Sequence, residues 1–237
     1  ALLKAEEKIE IDWKLQKAAE AESIHNTRVH YGKLPAKTSK RKLTTLEMQF
    51  AYPSLQTRYL ESESGWLRYD AGKMEFNIGA LLSESQRLWV AEVLDIPLTS
   101  ISAKESYLGG QFGGRQQREL IIFLALAASI SRRSVCLNFS AKEQDIGSYG
   151  FTSDLALTLD EDKKCVVGLT GEIRVEAGAY EGSSRLVLDK TLEHAASIYQ
   201  WEVLDLKGEV ILTPTHPRRA LKGEGLTAIT WMTEQLM

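Results

Sequence analysis

Apolar residues return at every second position over several stretches of the chain. Between Leu43 and Tyr52, the residues Leu46, Met48 and Phe50 alternate with polar neighbours, the spacing of a half-buried strand. Ser64–Tyr69 and Lys73–Asn77 read as a hairpin closed by Asp70-Ala71-Gly72, and Phe151–Leu159 with Val166–Glu176 as a second one turning at Asp160-Glu161-Asp162-Lys163. Val135–Phe139, Glu202–Leu206 and Glu209–Leu212 are shorter strand-like segments, and Ser100–Tyr107 reads as a strand running into a glycine-rich loop. Elsewhere the period changes to that of a helix. Ser83–Leu94 opens on Ser83 with Gln86 three residues on, a capping-box spacing, and offers Leu88, Val90, Ala91 and Leu94 as its apolar side before Pro97 ends it. Gln117–Ser131 is apolar all round, which predicts burial on most sides. Gly225–Met237 reads as a final helix, Lys14–Ile24 as a polar helix, and Ala1–Lys8 with Ile9–Trp13 as an opening helix and strand. Strands and helices mix without a regular βαβ repeat, so the fold class is α+β, with mixed sheets and packed helices.

Composition narrows the function. At 237 residues and 26.5 kDa, with 43% apolar and 26% charged residues, the chain can build a full core and is neither disordered nor fibrous. Its 29 Lys and Arg against 32 Asp and Glu leave no basic excess for nucleic acid or an anionic membrane. The longest apolar run, Leu120–Ile130, is too short to span a bilayer. No leader pattern opens the chain, and Cys136 and Cys165 form no CxxC pair, so a reduced, cytosolic (cytoplasmic) setting is expected. Iron–sulfur clusters and structural zinc usually need more than two thiolates, so any electron relay is expected elsewhere. The chain starts without Met inside a helical pattern and stops without a helix C-cap, and a fragment of a longer polypeptide is the expectation.

The candidate chemistry is concentrated in two glycine loops. Leu108-Gly109-Gly110-Gln111-Phe112-Gly113-Gly114 stands between a strand and a helix, where free N–H groups and the helix dipole favour an oxyanion. By itself the pattern is equally a tight structural turn, since it is neither GxGxxG nor a P-loop. Lys222-Gly223-Glu224-Gly225, with Arg218 and Arg219 nearby, is a second anion-friendly segment or simply a basic surface loop. The basic run Lys33–Lys42 reads as a solvated linker. His25, His30, His194 and His216 are scattered; Glu22 and His25 would share a helical face, but without a second pair a metal site there is weakly supported.

Taken together, three stretches resemble the molybdopterin-binding subunit of the xanthine dehydrogenase and aldehyde oxidase family of molybdenum hydroxylases. Gly109-Gly110-Gln111-Phe112-Gly113-Gly114-Arg115-Gln116 resembles the family's GGGFGGKE-type loop; Glu176-Ala177-Gly178-Ala179-Tyr180 is similar to its DAGAY stretch; Ala220-Leu221-Lys222-Gly223-Glu224-Gly225 is similar to its AFRGFG segment. Tyr59-Leu60-Glu61 and the helix end Val90–Pro97 add weaker matches. The resemblance implies a molybdenum–molybdopterin cofactor against Gly110, Gln111, Phe112 and Gly113, with Gln116 and Lys222 at the substrate, and residues 36–237 as part of the molybdopterin-binding domain. It makes residues 1–35 the tail and linker of a preceding hammerhead-like domain. It further implies hydroxylation of an aldehyde or N-heterocycle with oxygen from water, electrons leaving through iron–sulfur and flavin domains or subunits, and an oligomeric parent protein.

The departures are as specific as the matches. Gln111 replaces a glycine, Gln116 a glutamate, Lys222 an arginine, and a glutamine position falls on Leu81. Lys222 keeps its charge without the bidentate fork of arginine. In this family the glutamate that acts as general base lies beyond the last residue, Met237, so the piece alone would be inactive. These substitutions motivate an alternative, a non-catalytic family member acting as a binding or assembly subunit. A third reading, an independent anion-binding module, uses the two glycine loops alone.

Overall fold

A computed structural model describes residues 10, 12, 14, 20–33, 41–57, 59–79, 82–104, 106–115, 118–140, 143, 146–196 and 198–237. Nine strands and four α-helices are assigned among these residues, in two sheets. The larger sheet runs β1 (Glu22–Tyr31), β9 (Val203–Leu212), β8 (Cys165–Gly178), β7 (Gly150–Asp160), β2 (Leu43–Tyr52). The smaller runs β5 (Ile101–Ala103), β4 (Lys73–Ile78), β3 (Ser64–Asp70), β6 (Val135–Asn138). Strands β8 and β9 are parallel and joined through α3 (Ser184–His194), one βαβ unit in a sheet otherwise paired antiparallel. The mixed sheets with packed helices are those the α+β reading requires.

Each sheet has its own core. Leu155, Leu157, Leu169, Ile173, Leu206 and Val210 of the larger sheet pack with Val187, Leu188 and Leu192 of α3 and with Ile229 and Met232 of α4 (Leu226–Leu236). The smaller sheet buries Leu67, Met74, Phe76 and Ile78 against Val90 of α1 (Glu84–Leu94) and Leu120, Ile121 and Leu124 of α2 (Arg118–Ser131).

Local chemistry explains the elements that match their predicted spans. Ser83 caps α1: its hydroxyl accepts from the Gln86 N–H and its own N–H donates to the Gln86 side chain, which completes the capping box. Ala71 and Gly72 both take left-handed φ (49° and 88°) in the two-residue turn between β3 and β4. At the β7–β8 turn, the Asp160 carboxylate accepts from the N–H groups of Asp162 and Lys163.

Other predicted elements are corrected. Glu22–Ile24 belong to strand β1, not to a helix, so Glu22 and His25 do not share a helical face; the Arg28 guanidinium binds Asp205 of β9 at 2.7 and 2.6 Å across the pair. The strand before the glycine loop is only Ile101–Ala103, preceded by a 3-10 turn at Leu98–Ser100. Strand β9 is continuous through Lys207-Gly208, which pair with β1 on one side and β8 on the other, and α3 packs over Gly208: a Cβ there would stand 2.7 Å from Leu188 Cδ1. Helix α3, absent from the elements predicted, buries Val187, Leu188, Thr191 and Leu192 at helical spacing. Helix α2 is not buried all round: Phe123, Leu126 and Ile130 are exposed, Ile130 at 82%. On α1, Leu88 is likewise exposed. The predicted elements in 1–13, apart from Glu10 and Asp12, and residues 15–19 of the helix predicted over 14–24 lie outside the described residues.

Candidate functional site

The loop from Lys104 to Arg115 leaves β5, and the loop from Thr213 to Gly225 leaves β9; they meet at the junction of the two cores. Contact is direct. The Lys222 N–H donates to the Phe112 carbonyl at 2.7 Å, and a Cβ at Gly113 would lie 2.8 Å from the Ala220 carbonyl oxygen. Phe112 and Gly113 are both left-handed, with φ of 47° and 82°. This double turn aims the Phe112 ring outward, with Lys222 Nζ 5.9 Å from its centroid. Phe112, Leu221, Lys222 and Thr227 line an open cleft of about 570 Å³ together with Gln56 and Thr57 from the chain after β2.

The N–H of Gly109 donates to the Glu61 carboxylate and that of Gly114 to the Gln111 carbonyl. The N–H groups of Gly110, Gln111, Phe112 and Gly113 have no hydrogen-bond partner among the described residues. Four free donors on a loop exposed through Gly110, Phe112 and Gly113 suit a ligand rich in oxygen and nitrogen acceptors.

Beneath the loop lies a buried charged cluster that sequence reasoning missed. Arg219 donates to Glu63 at 2.6 Å, to the Gly114 carbonyl at 3.0 Å and to Glu119 at 3.0 Å. Glu63, 1% exposed, also accepts from the Tyr59 hydroxyl, and burial with this carboxylate raises the Tyr59 pKa well above that of an ordinary phenol. Arg115 stacks on the Tyr59 ring at 4.6 Å and donates to the carbonyls of Gly79 and Glu61. No local signal in Arg218-Arg219 says which arginine turns inward; Arg218 binds Ser54 instead.

Of the positions predicted for ligand contact, Phe112 and Lys222 line the cleft, Gly113 packs against the Ala220–Lys222 backbone and Gly110 against the Phe112 ring, whereas Gln116 and Leu81 lie outside the described residues. The second loop is anchored more than expected of a surface loop. Gly223, Glu224 and Gly225 are all left-handed, Glu224 pairs with Lys190 of α3, and a Cβ at Gly225 would meet Thr191 Oγ1 at 2.0 Å. The histidines do not converge: His25 Nε2 lies 3.9 Å from Asp189, His30 Nδ1 lies 3.6 Å from Asp205, and His194 contacts the Lys190 carbonyl. No group of three metal-ligating side chains occurs among the described residues, and both cysteines are free and exposed.

The structure combines a mixed-sheet fold with a glycine loop held against a second loop beside an open cleft. The family model described as molybdopterin cofactor-binding domain matches residues 16–237, and the chain belongs to that family. It is 27% identical over 195 residues to a probable xanthine dehydrogenase subunit of Bacillus subtilis, covering 81% of this chain and 26% of that protein. It is 26% identical over 155 residues to the nicotinate hydroxylase hnxS of Emericella nidulans, covering 63% of this chain and 11% of the other. The aldehyde oxidoreductase of Desulfovibrio desulfuricans superposes with a TM-score of 0.79 at 12% identity, over 90% of this chain and 25% of that one. Quinoline 2-oxidoreductase of Pseudomonas putida gives 0.76 at 18% identity, over 90% and 28%. These two structures share the fold; the chain spans about a quarter of the length of three of these four proteins and less of the fourth. The unpartnered N–H groups of Gly110 to Gly113 and the Lys222 ammonium are donors of the kind that the oxygen and nitrogen acceptors of a molybdopterin would take. No helix among the described residues is long and apolar enough to cross a membrane.

Proposed function

We propose that this chain forms one wall of the cofactor and substrate cleft of a molybdenum hydroxylase acting on an aldehyde or an N-heterocycle. The observation that carries the reading is the Phe112–Gly113 double turn. Its left-handed backbone is locked to Lys222 by a main-chain hydrogen bond and opens toward a cleft with four free N–H donors beside it. Gly110, Gln111, Phe112 and Gly113 hold the molybdenum–molybdopterin through main-chain donors. Gln116 and Lys222 orient the substrate, Lys222 as a point charge rather than a bidentate fork. When bound, the cofactor supplies the two-electron redox chemistry of the hydroxylation. The protein's part is to bind, to orient, and to line the cleft with the Phe112 ring.

The same reading makes the chain part of a larger, oligomeric, cytoplasmic assembly with iron–sulfur and flavin domains or subunits carrying electrons away. The residues ahead of position 36 then bring the chain in from a hammerhead-like domain, with β1 as the strand by which that segment joins the larger sheet. The test is metal and pterin analysis of the protein purified from its native host. Stoichiometric molybdenum with a pterin is the expected result. Folded protein without molybdenum, from cells whose other molybdoenzymes are loaded, overturns the reading in favour of a binding or assembly subunit.

A further inference from the structure

The buried cluster under the glycine loop has an arrangement that core packing alone does not require. Arg219 belongs to the Lys222 loop, three residues ahead of Lys222, yet its guanidinium reaches the other loop and the strand entry beyond it. It donates to the Gly114 carbonyl at 3.0 Å and to Glu63 at 2.6 Å, and its second nitrogen reaches Glu119 in the first turn of α2 at 3.0 Å. Its main chain is held as well: the Arg219 N–H donates to the Gly147 carbonyl, and its own carbonyl accepts from Tyr149. The side chain is 7% exposed and that of Glu63 is 1% exposed, so water does not share the bond between them, whereas Glu119 stands half in solvent. Glu63 Oε1 takes both Arg219 and the Tyr59 hydroxyl, whereas Oε2 is buried without a partner. A carboxylate accepted at that cost is one whose place is set by the guanidinium it faces.

We propose that Arg219 is the positioning residue that sets the separation of the two cleft loops, holding Gly113-Gly114 against the Ala220–Lys222 backbone so that the free N–H groups and Lys222 present one preorganised surface. This rests on the proposed cofactor role of the cleft. It assigns to Arg219 an indirect action: it touches no ligand and works through the Gly114 carbonyl. A planar fork reaches three acceptors at once, and a lysine ammonium in its place can reach fewer of them from one position.

The experiment compares Arg219→Lys with Arg41→Lys in the protein purified from its native host. Arg41 supplies a matched control: it binds buried Asp160 at 2.8 Å and also Glu202, at the end of β2 away from Tyr52 and the cleft. Melting temperature, pterin released per protein, and deuterium uptake of peptides covering residues 106–118 and 217–226 are measured on both. Arg219→Lys is expected to lower pterin retention about tenfold, the usual size of an outer-shell effect, at a melting temperature matched by Arg41→Lys, with uptake rising together in both loop peptides. Should Arg219→Lys be recovered only unfolded, Glu119→Gln removes one of the three contacts from the exposed side, and a smaller loss of pterin with the same paired rise in uptake is expected. Pterin content that follows melting temperature identically in the Arg219 and Arg41 variants overturns the proposal, as does a rise confined to one loop. If the unmodified protein holds no pterin, the cofactor reading falls, and the paired or unpaired uptake of the two loops alone decides whether Arg219 couples them.

Discussion

Gly113 shows how a single residue carries both the fold and the site. With φ at 82° any side chain is strained there, and a Cβ would also run into the Ala220 carbonyl at 2.8 Å. Gly72, with φ at 88°, has nothing within 4 Å of where its Cβ would stand. Gly72→Ala should therefore cost only the conformational penalty, about 1–2 kcal/mol, and Gly113→Ala distinctly more by urea denaturation. Equal losses would show that the second loop yields to the added methyl. Asp160 makes a prediction about acid. The Lys163 N–H and, behind it, the Arg41 guanidinium hold its carboxyl below the usual aspartate range. A lowered folded pKa means that the stabilisation is complete above the unfolded value of about 3.9 and is lost as the pH falls through the folded value. Asp160→Asn should accordingly be less stable than the unmodified chain at neutral pH, with the difference shrinking below about pH 4. Unfolding midpoints followed from neutral pH into that range check it, and a difference independent of pH would contradict it.

The two helices of the smaller sheet separate pattern from packing. Helix α2 reads as apolar on every side, but the small sheet has only one face to give it: Leu120, Ile121, Leu124, Ala125 and Ala128 are buried while Phe123, Leu126 and Ile130 face outward. Leu124→Ala should cost about 2–5 kcal/mol, whereas Ile130→Ala should stay within about 0.5 kcal/mol. Comparable losses at the two positions would mean that the outward face is covered in the folded protein. Helix α1 has its start signal written locally, and Ser83→Ala, which removes the hydroxyl that accepts from the Gln86 N–H but keeps the backbone N–H that donates to the Gln86 side chain, should lower stability by about 0.5–2 kcal/mol in the same assay.

At the scale of the molecule, two separate hydrophobic cores meet across a polar seam, and Arg219 with Glu63 is its buried ion pair. Removing one partner leaves the other charge stranded in the interior. Arg219→Met is expected to cost about 3–5 kcal/mol, and adding Glu63→Met to it should recover a large part of that loss. Chemical denaturation of the two variants decides the point; a double variant no more stable than the single one would mean that the seam depends on the geometry of the pair rather than on its charge balance.

The division between what was legible in the chain and what was not follows from the range of the forces involved. Alternation, capping and turn chemistry act over a few residues, so β2, both hairpins, α1 and the final helix stand in the sequence nearly at their observed ends. The glycine loop and its partner segment were recognisable too, because left-handed turns at Phe112–Gly113 and Gly223–Gly225 demand residues without side chains at most of those positions. Tertiary structure alone decided the rest. The sequence divides β9 into two short strand-like segments around Lys207-Gly208 until β1 and β8 are seen pairing through both residues, and Glu22–Ile24 look helical until β9 offers a strand to pair with. Arg218 and Arg219 are equivalent in the sequence, and only the meeting of two cores sends one of them inward to Glu63 and Gly114. Burial of a charge is a property of everything around it, and residues distant in the chain supply that surrounding.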